Sequence, residues 1–243
     1  MSVSDLHNNT VYMPSSSREL QLPRPVEIRE AAVAALPVSR DFPLQAAMKR
    51  MIDIGISLTA ILVLSPVLLL VALLIRFDSP GPALFTQVRW GKDCRKIRVY
   101  KFRSMRTDLG DSTGVAQTVK NDPRITRIGA IIRKTNIDEL PQLLNVLKGD
   151  MSLVGPRCHA IGMLAAGIPY EDLVPNYHRR HSVKPGMTGL AQMRGLRGPT
   201  DRPGKARARI ASDLHYIDNF SVLLDLRIMF GTVLAEVRGG KGF

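Results

Sequence analysis

The chain has 243 residues, enough to bury a sizeable core as one domain with attachments, and a net charge of +13. Residues 1–47 hold four Lys/Arg and five Asp/Glu, so the remainder carries +14 and calls for an anionic partner: nucleic acid, anionic lipid or nucleotide phosphate. One Trp and five Tyr are a poor stacking surface for single strands, so no nucleic acid is expected; Cys94 and Cys158 lack metal-ligand spacing and are expected as reduced thiols on the cytoplasmic side.

Residues 1–46 are rich in Ser, Pro and scattered charge without a sustained apolar period, which predicts a disordered or extended tail with at most a short helix at 27–36. No apolar core follows a basic start, so a signal peptide is not expected.

From 54 to 75 run 22 uncharged residues, which at about 1.5 Å per residue could cross a hydrocarbon layer roughly 30 Å thick. A single span is the default. The flanks argue otherwise: Lys49 and Arg50 precede the run, and Arg76 and then eight Lys/Arg between 89 and 106 follow it, so positive charge places both ends in the cytoplasm. Pro66 near the middle supplies a break and frees a carbonyl one turn earlier, for which the Ser65 hydroxyl is the nearest donor. A re-entrant helix-break-helix over 47–77 is therefore predicted. Asp53, just inside the apolar run, needs a partner, with Arg50 or Arg76 the expected ones.

Beyond the membrane segment, DSPGP at 78–82 predicts a turn into a strand, and alternation around Ile97 and Val99 predicts a second strand ending at KFRSM, with a hairpin at 91–93. A polar loop at 107–120 is expected to be mobile. Ile128, Ile131 and Ile132 mark a helix over 127–134. Then come two adjacent acids, Asp138 and Glu139. With Asp138 as N-cap, Pro141 falls in the first turn, Leu140, Leu143, Leu144 and Leu147 repeat at helical spacing and Gly149 closes the helix. Thr135 is an alternative cap. Acids at a helix start are favoured by the dipole alone, but here Arg133, Lys134, Lys148 and Arg157 crowd the pair. A helix at 158–165, a loop at 169–175 and a basic, glycine-rich turn at 184–195 without P-loop spacing follow. Helices are expected at 205–219 and 223–237, the last either in the membrane interface or packed on the core.

The ordered blocks KR-x-x-D at 49–53, Ser65–Pro66, DSPGP, KFRSM, NDPRITRIG at 121–129, DELPQLLNVLKGDMSLVGPR at 138–157 and KPGMTGL at 184–190 resemble the monotopic phosphoglycosyl transferases, a bacterial sugar transferase family. The match runs from about residue 49 to the C-terminus. The resemblance implies an α+β, mainly helical protein: a re-entrant membrane helix, then a cytoplasmic catalytic domain at 78–243 with a small β-hairpin and interfacial amphipathic helices, on the cytoplasmic face of the bacterial inner membrane. It further implies transfer of a sugar 1-phosphate, galactose or glucose 1-phosphate, from a UDP-sugar to polyprenyl (undecaprenyl) phosphate at the start of exopolysaccharide synthesis.

UMP would leave, and Asp138 would be the nucleophile of an aspartyl-phosphosugar intermediate. Magnesium and fixed cations would screen the anionic reactants, with Asp138 and Glu139 as metal ligands and Lys101, Arg133 and Arg157 as phosphate-binding groups. Asp213 and Asp225 are assigned to structural pairing. Cys158 stands where the family carries a second proline, and Ala191 where it often carries tryptophan. Competing readings are a UDP-releasing glycosyltransferase and a non-catalytic, membrane-anchored binder of anionic ligands. Oligomeric state is open, with a homodimer among the options.

Overall fold

The computed structural model describes residues 43–106, 108–109, 118 and 122–237. The expectations for residues 1–42, including the helix at 27–36, and for most of the 107–120 loop lie outside the described residues.

A 36-residue helix, α1 (Pro43–Asp78), opens the described chain. It begins four residues ahead of the expected boundary and runs on through Pro66, so the expected interruption at Ser65–Pro66 is absent. The reason is local. Proline removes one N–H and leaves one carbonyl open, that of Leu62, and the Ser65 hydroxyl donates to it at 2.9 Å. With that defect covered, the neighbouring helical bonds continue. Along α1 only Asp53, Ser57, Val71 and Ile75 are buried. Leu58, Leu62, Val63, Leu69, Leu70 and Phe77 are exposed, an apolar surface far larger than water tolerates on a monomer and consistent with membrane association.

Both ends of α1 fasten to one soluble body. At the first, Lys49 pairs with Asp225 at 2.6 Å, and Arg50 donates to the carbonyls of Val146 and Leu147, the C-terminal end of another helix, at 2.6 and 2.8 Å. Asp53 does not pair with Arg50 or Arg76; it accepts from the Ser152 hydroxyl at 3.1 Å and the Leu153 amide at 3.0 Å. At the second end, Arg103 donates to the carbonyls of Ile75 and Ser79 at 3.1 and 2.6 Å and also bonds that of Pro80. Asp78 accepts from the Ile128 amide at 3.0 Å, anchoring the next helix.

The strands β1 (Leu84–Trp90) and β2 (Lys96–Phe102) form the expected antiparallel hairpin. Helix α2 (Arg127–Lys134) matches the isoleucine spacing and is capped by the Thr126 side chain. Asp138 is not the cap of the next helix. A 3₁₀ turn, Ile137–Glu139, precedes α3 (Gln142–Lys148). Pro141 has no N–H to give the Ile137 carbonyl, which accepts instead from Leu140 at 3.1 Å, the 3₁₀ partner. Thr135 turns back to the Ile131 carbonyl and ends α2. Gly149, left-handed at φ 88°, ends α3 as expected.

Strand β3 (Ser152–Val154) pairs in parallel with β6 (Gly186–Thr188). The helix expected at 158–165 does not form. Its start is drawn into backbone pairing with the hairpin, Trp90 donating to the His159 carbonyl at 3.3 Å beside an Arg89–Ala160 bridge. A two-residue hairpin follows, β4 (Leu164–Ala165) and β5 (Ile168–Pro169), then a single helical turn α4 (Tyr170–Leu173) where a loop was expected, and a 3₁₀ segment, Tyr177–Ser182. The chain ends in α5 (Leu190–Met193), α6 (Pro203–Asp218) and α7 (Val222–Val237).

Val99, Val146, Met151, Val154, Tyr216 and Ile228 centre the main core beneath hairpin, α3, α6 and α7. Helix α7 packs on the core through Ile228, while Leu223, Leu226, Phe230 and Val233 are exposed at helical spacing.

Asp53 carries a testable share of the helix anchorage. Asp53→Ala strands a buried amide and hydroxyl and is expected to cost about 1–3 kcal/mol, seen as a lower thermal midpoint in nanodiscs, with Asp53→Asn recovering part; an unchanged midpoint would contradict the anchoring role.

Candidate active site

The acid pair, Lys101 and Arg157 converge from three segments. Glu139 sits in the 3₁₀ turn, Lys101 near the end of β2, and Arg157 just beyond β3. Lys101 Nζ donates to Glu139 Oε1 at 2.8 Å, and Arg157 Nη1 donates to Oε2 at 3.0 Å, with a second, shorter Arg157–Oε1 contact. Thus Glu139 takes both cations at once.

Each segment is locked by backbone. The buried Asn145 side chain in α3 accepts from the Tyr100 amide at 2.9 Å and donates to the Arg98 carbonyl at 2.7 Å, fixing β2 and hence Lys101 against α3. Gly155 and Gly186 meet backbone to backbone: a Cβ on Gly155 would lie 2.5 Å from the Lys184 carbonyl, and one on Gly186 would lie 2.1 Å from the Gly155 amide. Gly155 N donates to the Thr188 carbonyl and Gly186 N to that of Pro156, both at 2.9 Å, so the 155–157 and 184–190 blocks are one unit. That pairing holds the turn with Cys158 in place of proline, and Ala191 is buried in the core's edge. Arg180, wholly buried and paired with Asp213 at 2.8 Å, donates to the Arg157 carbonyl at 2.5 Å. Asp225 is paired with Lys49 and accepts from the Tyr216 hydroxyl at 2.7 Å.

The two acids differ in character. Burial alone would push the Glu139 carboxyl up; Arg157 and Lys101 overrule it and hold Glu139 well below the usual carboxylate range. Asp138 is 7% exposed, and among the described residues its carboxylate accepts no hydrogen bond. Burial pushes its carboxyl up, and Lys101, Arg133 and Arg157 recover only part of that. One acid is a fixed counter-ion; the other is a desolvated, unengaged carboxylate. Arg133 acts on Asp138 at a distance, its described bonds running to the hydroxyls of Thr118 at 2.9 Å and Ser104 at 3.4 Å.

Magnesium fits Asp138, since a hard cation takes carboxylate oxygen and keeps its other positions for water or ligand phosphates. Glu139, expected as a second ligand, is committed to Lys101 and Arg157. Arg157 keeps 37% of its side-chain surface open, and so can meet a phosphate without leaving Glu139.

Sequence reasoning missed Asn145, Arg180 and Arg89, the last half-buried near Arg157, its guanidinium lowered from the ordinary value by partial desolvation. A polar residue among the leucines of α3 was the available signal for Asn145; the His-Arg-Arg-His run at 178–181 gave none for a buried Arg180.

Residues 44–239 match the bacterial sugar transferase family. Over 196 residues, 81% of this chain, it is 74% identical to an exopolysaccharide production protein, PSS, of Rhizobium leguminosarum bv. phaseoli, covering 98% of that protein. It is 46% identical over 196 residues to a UDP-glucose:undecaprenyl-phosphate glucose-1-phosphate transferase of Escherichia coli K12, and 42% identical over 197 to a UDP-N-acetylgalactosamine-undecaprenyl-phosphate N-acetylgalactosaminephosphotransferase of Aeromonas hydrophila. Each match covers 81% of this chain, but it spans 40% and 45% of those two relatives.

The acids are expected to affect stability in opposite senses. Glu139's contribution is complete above its ordinary value of 4.5 and is lost only as pH falls below it. Asp138's buried charge is a cost that sets in as pH rises from its ordinary value of 3.8 through the raised one. At pH 7, Glu139→Gln should therefore lower stability by about 1–3 kcal/mol, discounted for the partial exposure of its cations. Asp138→Asn should leave the thermal midpoint level or higher; equal losses in both variants would refute the distinction.

Proposed function

The chain belongs to the bacterial sugar transferase family, and on that premise we propose that it is a phosphoglycosyl transferase moving a hexose 1-phosphate from a UDP-sugar to undecaprenyl phosphate, for exopolysaccharide synthesis. UDP-glucose and UDP-galactose are the proposed donors. The observation that carries the reading is the asymmetry of the acid pair: a buried, unengaged Asp138 beside a Glu139 that holds two cations.

In the proposed first step an Asp138 carboxylate oxygen attacks the sugar-bearing phosphorus of the donor. The bond from that phosphorus to the bridging oxygen breaks, and UMP leaves with the electron pair. An acyl phosphate joins Asp138 to the sugar phosphate. In the second step a phosphate oxygen of undecaprenyl phosphate attacks the same phosphorus, the Asp138 oxygen leaves, and the carboxylate is restored. Lys101 and Arg157 orient the donor phosphates and neutralise charge gathering on them, and Glu139 is a positioning residue that holds both cations aimed. Desolvation makes Asp138 a better nucleophile than a hydrated carboxylate. Magnesium, held by Asp138 and the donor phosphates, would supply further charge neutralisation.

Re-entry of α1 from the cytoplasmic face is part of the reading, with a bend at Pro66 replacing the full break. It is supported by the anchorage of both helix ends to one body. Labelling cysteines placed at 48 and 78 should find both on the cytoplasmic face; either one on the far side would refute it.

Product analysis in nanodiscs with magnesium, undecaprenyl phosphate and a panel of UDP-sugars should show UMP. Asp138→Asn should lower turnover by roughly 10³-fold or more while the protein stays folded. The rate should fall in acid through a value above the ordinary 3.8, because Asp138 must be ionised to attack. Release of UDP, or full turnover by Asp138→Asn, would refute the mechanism.

A further inference from the structure

Away from the acid pair, the turn between β1 and β2 meets the 3₁₀ segment Tyr177–Ser182. Asp93 and Cys94 in that turn are both left-handed, at φ 54°, a conformation that non-glycine residues adopt at a cost. Its outcome is that the Cys94 sulfur lies 3.4 Å from His181 Nδ1. His178 and His181 are three residues apart in a 3₁₀ segment, where side chains at that spacing eclipse, and their ring centroids are 5.8 Å apart. One ligand atom from each of Cys94, His178 and His181 lies within 4.8 Å of the other two.

We propose that Cys94, His178 and His181 bind a zinc ion, a site separate from the acid pair and from any magnesium held there.

Geometry and donor chemistry agree on this. Zinc–sulfur and zinc–nitrogen bonds of about 2.3 and 2.0 Å at a tetrahedral angle put sulfur and nitrogen about 3.5 Å apart, close to the Cys94–His181 separation of 3.4 Å. His181 is 5% exposed, and the His178 Nδ1 nitrogen of the cluster is buried without a hydrogen-bond partner. A plain Cys94–His181 hydrogen bond would leave His178 Nδ1 unsatisfied, whereas a cation can use it. One sulfur and two imidazoles are a set zinc takes readily, with a fourth position left for water. Cys94 binds as thiolate, its proton passing to solvent.

The ion would clip the hairpin that carries Lys101 to the segment whose Arg180 bonds the Arg157 carbonyl. It would brace both sides of the phosphate-binding cations without touching substrate.

The test is titration of the full chain, in nanodiscs and stripped with chelator, with Co²⁺ as an optical stand-in for zinc. One equivalent should bring up a thiolate-to-cobalt charge-transfer band and the visible bands of tetrahedral Co²⁺, both abolished by added Zn²⁺. Cys94→Ser should lose the charge-transfer band, Cys158→Ser should keep it, and His178→Asn should weaken binding by at least about tenfold. Absence of the band in the parent protein at excess Co²⁺ would overturn the proposal. So would a band that survives Cys94→Ser and disappears in Cys158→Ser.

Discussion

A single carboxylate, that of Glu139, organises the centre of the molecule. Lys101 is 38 residues before it and Arg157 is 18 after it, yet both bond it. Two like charges cannot be brought so close in a half-buried site without an anion between them. Glu139 is that anion, and three segments must be held in register for it to work. The Asn145 amide holds the hairpin, the closure of Gly155 on Gly186 holds the turn before Arg157, and the buried Arg180–Asp213 pair reaches that arginine's own carbonyl.

Charge balance around the acids follows from the same arrangement. One anion shared by two cations leaves a net positive neighbourhood, deepened by Arg133, and Asp138 sits inside it with no hydrogen bond of its own among the described residues. The field makes a buried carboxylate tolerable and attracts phosphate; the lack of a hydrogen bond leaves the carboxylate available. A second fixed bond to Asp138 would make the site more stable and less useful.

Local features of the chain were legible where local physics decides them. The isoleucine spacing marked α2, Gly149 marked the end of α3, and the pairing of the Ser65 hydroxyl with the carbonyl freed by Pro66 followed from proline chemistry alone. What failed was decided by partners distant in sequence. A helix was expected at 158–165, but β1 pairs with its start at His159 and Ala160, and Leu164 and Ala165 enter a hairpin with β5. Asp53 found Ser152 and Leu153, a hundred residues away, in place of its basic neighbours. The acids and basic groups of the site could be named from their blocks, whereas the division of labour between Asp138 and Glu139 could not, because it depends on which carboxylate the two cations choose.

Helix α3 has a further consequence. Its last carbonyls are held by Arg50, at the edge of the apolar helix, and its first turn follows directly on the acid pair. Seven residues at about 1.5 Å each make a ruler of about 10 Å between the Arg50 end of the apolar helix and the carboxylates. On the proposed mechanism, a phosphate carried on a lipid tail would reach Asp138 while its hydrocarbon stays immersed, and the water-borne partner would be the one that must travel.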